Sequence, residues 1–193
     1  MKKNIIIIGA GGHAESCIDI IESKNIYKVK CLVGLNKEIN KLVLGKFKVI
    51  YSDSSIIKLA KKYKYALIAI GQIHSSSIRK KFFKKLKKYK FILPTIISSN
   101  AVVSKYSEIG EGTIVMHGAI IGPNVKIGKN CIINSNSLIE HGTNIKDNTH
   151  VATSAVVNSG VSIGSDCFIG SNSVIRQSIN IKKNSFIKMG SKI

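Results

Sequence analysis

The chain has no tryptophan, and its 193 residues include only two prolines, two arginines and ten acidic side chains. The missing tryptophan and sparse aromatics leave little on which bases could stack, and the scarcity of arginine leaves few forks for phosphate or guanine. A net charge of +20 therefore does not read as nucleic-acid binding. Lys, Asn and Ile are abundant together, as an AT-rich genome would encode, and the field they create attracts anionic substrates. The runs Lys58 to Lys64 and Lys80 to Lys90 read as solvated helix faces. The four cysteines, Cys17, Cys31, Cys131 and Cys167, form no CxxC pair, so neither a disulfide framework nor a zinc site is expected. No metal is expected. The longest apolar runs, Ile5 to Ile8 and Ala66 to Ile70, are too short to cross a bilayer. Gly9 to His13 interrupts the run after Met1-Lys2-Lys3, which makes it a buried first strand rather than a signal peptide. A cytoplasmic protein without a membrane span is expected.

What the chain does have is a six-residue period. An Ile or Val recurs at Val103, Ile109, Val115, Ile121 and so on without a break to Ile187 and Ile193. A compact lane follows four residues behind it, including Thr113, Ala119, Val125, Cys131, Ser137 and Thr143. Neither a helix nor an ordinary strand produces this spacing, whereas stacked coils of short strands do. The large lane should fill a prism and the small lane should sit where its wall turns. A scaffold or ice-binding solenoid is the alternative, but an ice-binding face would need regular ranks of Thr.

Before about residue 95 the pattern is alternating strand and helix. Strands are predicted at Asn4 to Ile8, Val29 to Val33, Lys48 to Tyr51, Tyr65 to Ile70 and Phe91 to Leu93. Helices are predicted near Ala14 to Ser23, Ser54 to Tyr63 (with Ser52 or Asp53 as cap) and Ile78 to Lys88. This describes a small α/β, Rossmann-like domain over residues 1–95, followed by a linker and a repeat domain over 100–193. Gly9-Ala10-Gly11-Gly12-His13-Ala14 fits the outline of a phosphate-cradling turn between strand and helix. A dinucleotide would also need a carboxylate at the end of the second strand, and Val33-Gly34-Leu35-Asn36 has none. A redox cofactor is not expected. A mononucleotide, a sugar or a bare tight turn all remain open.

The pairs Ile109-Gly110, Ile121-Gly122, Ile127-Gly128, Ile163-Gly164 and Ile169-Gly170 resemble the hexapeptide-repeat acyltransferases. That resemblance implies a left-handed parallel β-helix and a homotrimer that binds an acyl thioester between neighbouring prisms. The strand before Gly9 to His13, then Ala69-Ile70-Gly71, then Ser137-Leu138-Ile139-Glu140-His141 narrow it further. Together they resemble the bacterial sialic-acid O-acetyltransferases and the N-acetyltransferases of UDP-linked 4-amino sugars, over essentially the whole chain.

In that family the small domain binds the sugar nucleotide and the coils bind acetyl-CoA. The resemblance implies substrate contacts at Gly9, Gly11, Gly12, His13 and Gly71, a general base at His141 and an acidic neighbour at Glu140. It implies acetyl-CoA contacts at His150, Ser159, Gly170 and Gly190. The chemistry asks for such a base independently, since the attacking amine or hydroxyl must lose a proton and imidazole titrates near neutrality. His117 lies four hexapeptides before His141, on another prism face.

The sequence departs from the family in three places. Gly142 stands where an acid commonly follows the catalytic histidine, so Glu140 or another subunit would orient the ring. Gly34-Leu35-Asn36 lacks the acids that meet uracil. The chain stops at Ile193, short of the usual capping segment, leaving Lys188 and Lys192 to meet the phosphates of coenzyme A. The expected activity is acetyl-CoA-dependent N-acetylation of a nucleotide-linked amino sugar, with O-acetylation of a nonulosonate or a non-catalytic solenoid as alternatives. The nucleotide remains open among UDP, GDP and CMP.

Overall fold

The computed structural model describes all residues, 1–193. The chain forms two compact units, Met1–Gly71 with Ile78–Pro94, and Gln72–Ser77 with Thr95–Ile193. The short segment Gln72–Ser77 thus belongs to the second unit although it lies within the sequence of the first.

The first unit is built around β1 (Lys3–Ile8), whose four consecutive isoleucines are all buried. A β-branched run buried on both faces is what a central parallel strand requires. Helix α1 (Gly12–Lys24) follows, then β2 (Tyr27–Gly34), β3 (Leu42–Val43), β4 (Phe47–Ser52), α2 (Ile56–Ala60), β5 (Tyr65–Ile68) and α3 (Ser77–Lys88). The sheet order is β3-β4-β2-β1-β5, parallel except for the β3–β4 hairpin. Chain order runs outward from β1 to β2 and β4, then crosses back to β5. With right-handed crossovers this puts α1 on one face and α2 with α3 on the other. The packing agrees, because Ile6, Ile8, Ile56, Leu59, Leu86 and Phe91 share one core cluster.

Three expected details differ. The hairpin strand β3 is too short to leave a periodic signal. The predicted strand at Phe91 to Leu93 contributes a single bridge, Ile92 to Tyr65. The expected second helix starts with a 3-10 turn, Asp53–Ser55, and Ser52 caps it without a side-chain hydrogen bond.

The second unit contains sixteen two-residue strands, β6 (Ile96–Ile97) to β21 (Phe186–Ile187). They stack as three parallel walls in which each strand pairs with the one a coil away, as Leu138 does with Val156 and Ile139 with Val157. Lane residues Ile121 to Ile181 are buried in one continuous core, and Ile187 packs against it. The small lane from Thr113 to Ser173 is buried as well. Ile193 is exposed, so the inward series ends at Ile187.

A third lane went unread in the sequence. Every sixth residue from Gly112 to Gly190 has positive φ, between 55° and 70°, and all fourteen are Gly, Asn, Ser or Asp. These are the corners, where a left-handed backbone favours Gly and short polar side chains.

Candidate functional site

In the first unit, the carboxyl ends of the strands open into a cleft of about 720 Å³. Gly9 to His13, Gly34 to Asn36, Glu38, Asp53, Ala69 to Gly71, Lys81 and Phe82 are among its lining residues. Gly9, at φ +123°, lies so close to the β5 end that an added Cβ would come within 2.6 Å of the Ala69 carbonyl oxygen. Gly11 and Gly12 face open space instead. The N-terminus of α1, which starts at Gly12, therefore meets the cleft without side chains in the way. That is the arrangement in which helix amides and the helix dipole attract an anion. Lys41 Nζ closes onto the same turn, donating to the Ala10 carbonyl at 2.8 Å.

The carboxylate expected to be missing at the end of β2 is supplied by folding. Glu38 turns back so that its Oε2 accepts the Leu35 amide at 2.8 Å, and it fills the space over Gly34. Asp53, just beyond β4, is a second acid on the lining. Neither was read from the sequence as a cleft residue, because both come from elements after β2. The lack of an acid at Gly34-Leu35-Asn36 is therefore no argument about what the cleft binds. Arg79 was also missed. It is 1% exposed on α3, and its Nη1 donates to the carbonyls of Ile68 at 2.9 Å and Ile70 at 2.8 Å, fixing the strand end that carries Gly71.

In the second unit, β13 (Leu138–Ile139) delivers Glu140 and His141 to the outer edge of one wall. His141 is 65% exposed, and its Nδ1 lies 3.4 Å from Glu140 Oε2. The backbone around it is tightly set. Its amide lies 3.0 Å from where a Cβ on Gly122 would stand, a tight approach, and its carbonyl accepts the Gly160 amide at 3.0 Å. Gly142 occupies one of the left-handed corners, at φ +69°. Glycine suits that corner, as Asn, Ser and Asp do at others, and Glu140 is the carboxylate beside the ring. The strand register sets Ser159 one coil beyond His141 on the same wall. His117 stands at a different wall, after β9 (Ile114–Val115), with Nδ1 2.7 Å from Ser98 Oγ.

His150 lies on β15 (His150–Val151) and is 7% exposed. Its Nδ1 meets the Gln72 carbonyl, which can only accept, so Nδ1 carries the proton. Asn134 Nδ2 approaches Nε2 at 3.2 Å, and Phe168 packs edge-on to the ring. Gln72 Nε2 in turn donates to the Asn148 carbonyl at 2.7 Å. Gly170 is buried, and an added Cβ would meet the Met189 amide at 2.5 Å. Gly190 is a corner glycine at φ +68°. No three or more His, Cys, Asp or Glu side chains are grouped to hold a metal ion. No helix is long and apolar enough to cross a membrane.

A small parallel α/β unit with a glycine-turn cleft, followed by hexapeptide coils with a histidine at one wall, defines a hexapeptide transferase scaffold. Family comparison bears this out, since residues 4–86 match the PglD N-terminal domain and residues 106–141 and 142–177 match the bacterial transferase hexapeptide (six repeats). The chain thus joins a PglD N-terminal domain to bacterial transferase hexapeptide repeats, and its coils are those of a left-handed parallel β-helix. It is 29% identical over 114 residues to UDP-N-acetylbacillosamine N-acetyltransferase of Bacillus subtilis (strain 168), covering 59% of this chain. The match spans about half, 51%, of that relative.

Among solved structures it resembles perosamine N-acetyltransferase of Caulobacter crescentus in complex with CoA and GDP-perosamine. The TM-score is 0.90 at 25% identity, over 98% of this chain and 88% of that one. The acetyltransferase domain of PglB from Neisseria gonorrhoeae, solved with acetyl coenzyme A, shares the fold. There the TM-score is 0.89 at 22% identity, over 100% of this chain and 93% of that one.

Proposed function

We propose that this protein is an acetyl-CoA-dependent N-acetyltransferase acting on the amino group of a nucleotide-linked amino sugar, with His141 as general base. The observation that carries the reading is His141 itself, exposed on a family-type coil with Glu140 3.4 Å from Nδ1 and Nε2 left to face substrate. The relatives support the substrate class, since one is named for a UDP-linked sugar and another was solved with a GDP-linked one.

In this mechanism the amine lone pair attacks the thioester carbonyl carbon and forms the C–N bond. Nε2 of His141 takes the amine proton, and Glu140 stabilises the imidazolium. The tetrahedral intermediate collapses with cleavage of the C–S bond, and the proton passes to the departing sulfur, giving the amide and free CoA thiol. Ser159, one coil on, sits beside the reacting carbonyl, and His150, Gly170 and Gly190 flank the path of the cofactor. In the cleft of the small unit the α1 N-terminus, with Gly9, Gly11, Gly12, His13 and Gly71, receives the sugar nucleotide. Glu38 and Asp53 offer acceptors to its base or hydroxyls.

The working form is a cytoplasmic homotrimer. Support comes from the wall that carries His141, whose outward side chains are Val102, Ile120, Leu138, Val156 and Val174, an aliphatic ladder five coils long. Val102, Ile120 and Val174 are exposed in the single chain. The test is a screen of UDP-, GDP- and CMP-linked amino sugars for CoA thiol release in the presence of acetyl-CoA. Amine-dependent release supports the reading, whereas release only with free hydroxyl sugars overturns it.

A further inference from the structure

The net charge of +20 is unevenly placed. Residues 1–94 hold 21 Lys and Arg against five Asp and Glu, a net of +16, while residues 95–193 hold nine against five. A preference for lysine codons would load both halves alike. From Ser54 to Ser107 there is no acidic residue at all.

Folding concentrates the charge further. Helices α2 and α3 pack side by side over the same core cluster, and Lys85 Nζ on α3 donates to the Asp53 carbonyl next to α2. Their outer surface and the turn after α2 present Lys58, Lys61, Lys62, Lys84, Lys87 and Lys88, all exposed. Three of the five acids in this half, Glu15, Asp19 and Glu22, are instead exposed on α1, across the sheet. The α2–α3 face is therefore basic without acids among its lysines, whereas most of the unit's acids are gathered on α1.

We infer that the α2–α3 face docks on an anionic phospholipid bilayer. Its cations are lysines, point charges that suit a diffuse anionic surface, and the arginine of α3, Arg79, is buried. The aromatic side chains nearby, Tyr63, Phe82, Phe83 and Tyr89, are partly buried against the core, and Lys62 and Lys88 lie over the rings of Tyr63 and Tyr89, which leaves few free ring faces for bases. Ile57 is exposed among the lysines and gives shallow apolar contact. The acids on α1 favour this orientation, because Glu15 and Asp19 would meet an anionic surface unfavourably. At physiological salt the Debye length is about 8 Å, so only charges lying on the membrane count, which favours a flat two-helix face over total charge.

The experiment is co-sedimentation of the full chain with vesicles of phosphatidylcholine alone, or of phosphatidylcholine and phosphatidylglycerol mixed two to one. Binding to the mixed vesicles at physiological salt and release at high salt are expected. The variant Lys58→Glu, Lys62→Glu, Lys84→Glu, Lys88→Glu is expected to lose at least about a hundredfold in partitioning. A second variant, Lys2→Glu, Lys24→Glu, Lys28→Glu, Lys46→Glu, has the same net charge but lies in the same unit on and around α1, and is expected to keep most of it. Thermal unfolding of both variants checks that they are folded. No binding to the mixed vesicles, or equal loss in both variants, overturns the inference. Displacement from the vesicles by a single-stranded DNA of equal total charge also overturns it, in favour of nucleic acid.

Discussion

Glu140 Oε2 lies 3.4 Å from Nδ1 of His141, which puts a carboxylate directly behind the imidazole that the proposed reaction uses. Gly142, at the corner after the histidine, carries no side chain, so the acid beside the ring precedes the histidine instead of following it. This gives two graded expectations. His141→Ala should lower turnover by about 100- to 10,000-fold, the usual contribution of a general base, with acetyl-CoA binding retained. Glu140→Gln keeps the shape and removes the charge, so a smaller loss is expected, about tenfold in kcat at unchanged KM for acetyl-CoA. Steady-state kinetics with calorimetric binding of acetyl-CoA checks both. Near-normal turnover in His141→Ala would mean another residue takes the proton.

His150 is buried and holds the Gln72 carbonyl through Nδ1, so its replacement has a structural cost as well as a functional one. His150→Ala leaves a buried carbonyl without its donor, a loss of about 1–3 kcal/mol. Lower stability in thermal unfolding is expected together with a raised KM for acetyl-CoA. His150→Asn, which restores a donor, should recover part of the stability. A fully stable His150→Ala protein would contradict the contact.

The two glycines at the ends of the glycine turn should behave oppositely. Gly12 faces open space, so Gly12→Val is expected to fold and to raise the KM of the nucleotide sugar far more than that of acetyl-CoA. Gly9 combines φ +123° with a Cβ position 2.6 Å from the Ala69 oxygen, so Gly9→Ala should destabilise the unit whatever the ligand. Kinetics for the first and denaturant unfolding for the second would show it. Equal effects of Gly12→Val on both KM values would detach the turn from substrate binding.

Burial pushes the Cys17 thiol up to about 12 and the Cys31 thiol up to about 11. In the unfolded chain these thiols ionise near 9.0. Above that pH the unfolded state releases protons that the folded state keeps, so stability present below pH 9 is lost as pH rises towards 11 and 12. The unfolding midpoint should therefore fall over this window, and Cys17→Ala should flatten the fall. A midpoint independent of pH there would contradict the burial of both thiols.

The six-residue lanes made the coils legible in the sequence, because one inward Ile or Val and one small residue per hexapeptide follow directly from a narrow prism. The corner lane was equally present, from Gly112 to Gly190, but its alternation of Gly with Asn, Ser and Asp hides it until φ is known. The small unit was legible where strands are long, as in β1, and not where two residues suffice, as in β3. In the site, His141 and the glycine turn stand in local motifs. Glu38 and Asp53 reach the cleft, and Arg79 the strand end beside it, only through the path of the chain after β2, β4 and β5, which no local pattern encodes.

The aliphatic ladder on the wall of His141 yields the last prediction. Val102, Ile120 and Val174 point outward from stacked strands and remain exposed in the single chain. Full burial of one such side chain is worth about 1.5–3 kcal/mol, so a shared wall of five gives ample drive for self-association. The neighbouring wall of β8 (Glu108–Ile109), β11 (Lys126–Ile127) and β14 (Asn144–Ile145) carries Glu108, Lys126 and Asn144 outward and offers no such drive. Light scattering at micromolar concentration should give three times the 21.0 kDa of one chain. Ile120→Glu with Val174→Glu should reduce it to one chain while the coils stay folded, since both side chains point away from the core. Turnover should fall with the mass, because the proposed acetyl-CoA site needs a neighbouring wall. A monomeric wild-type protein with full activity would refute both the trimer and the shared site.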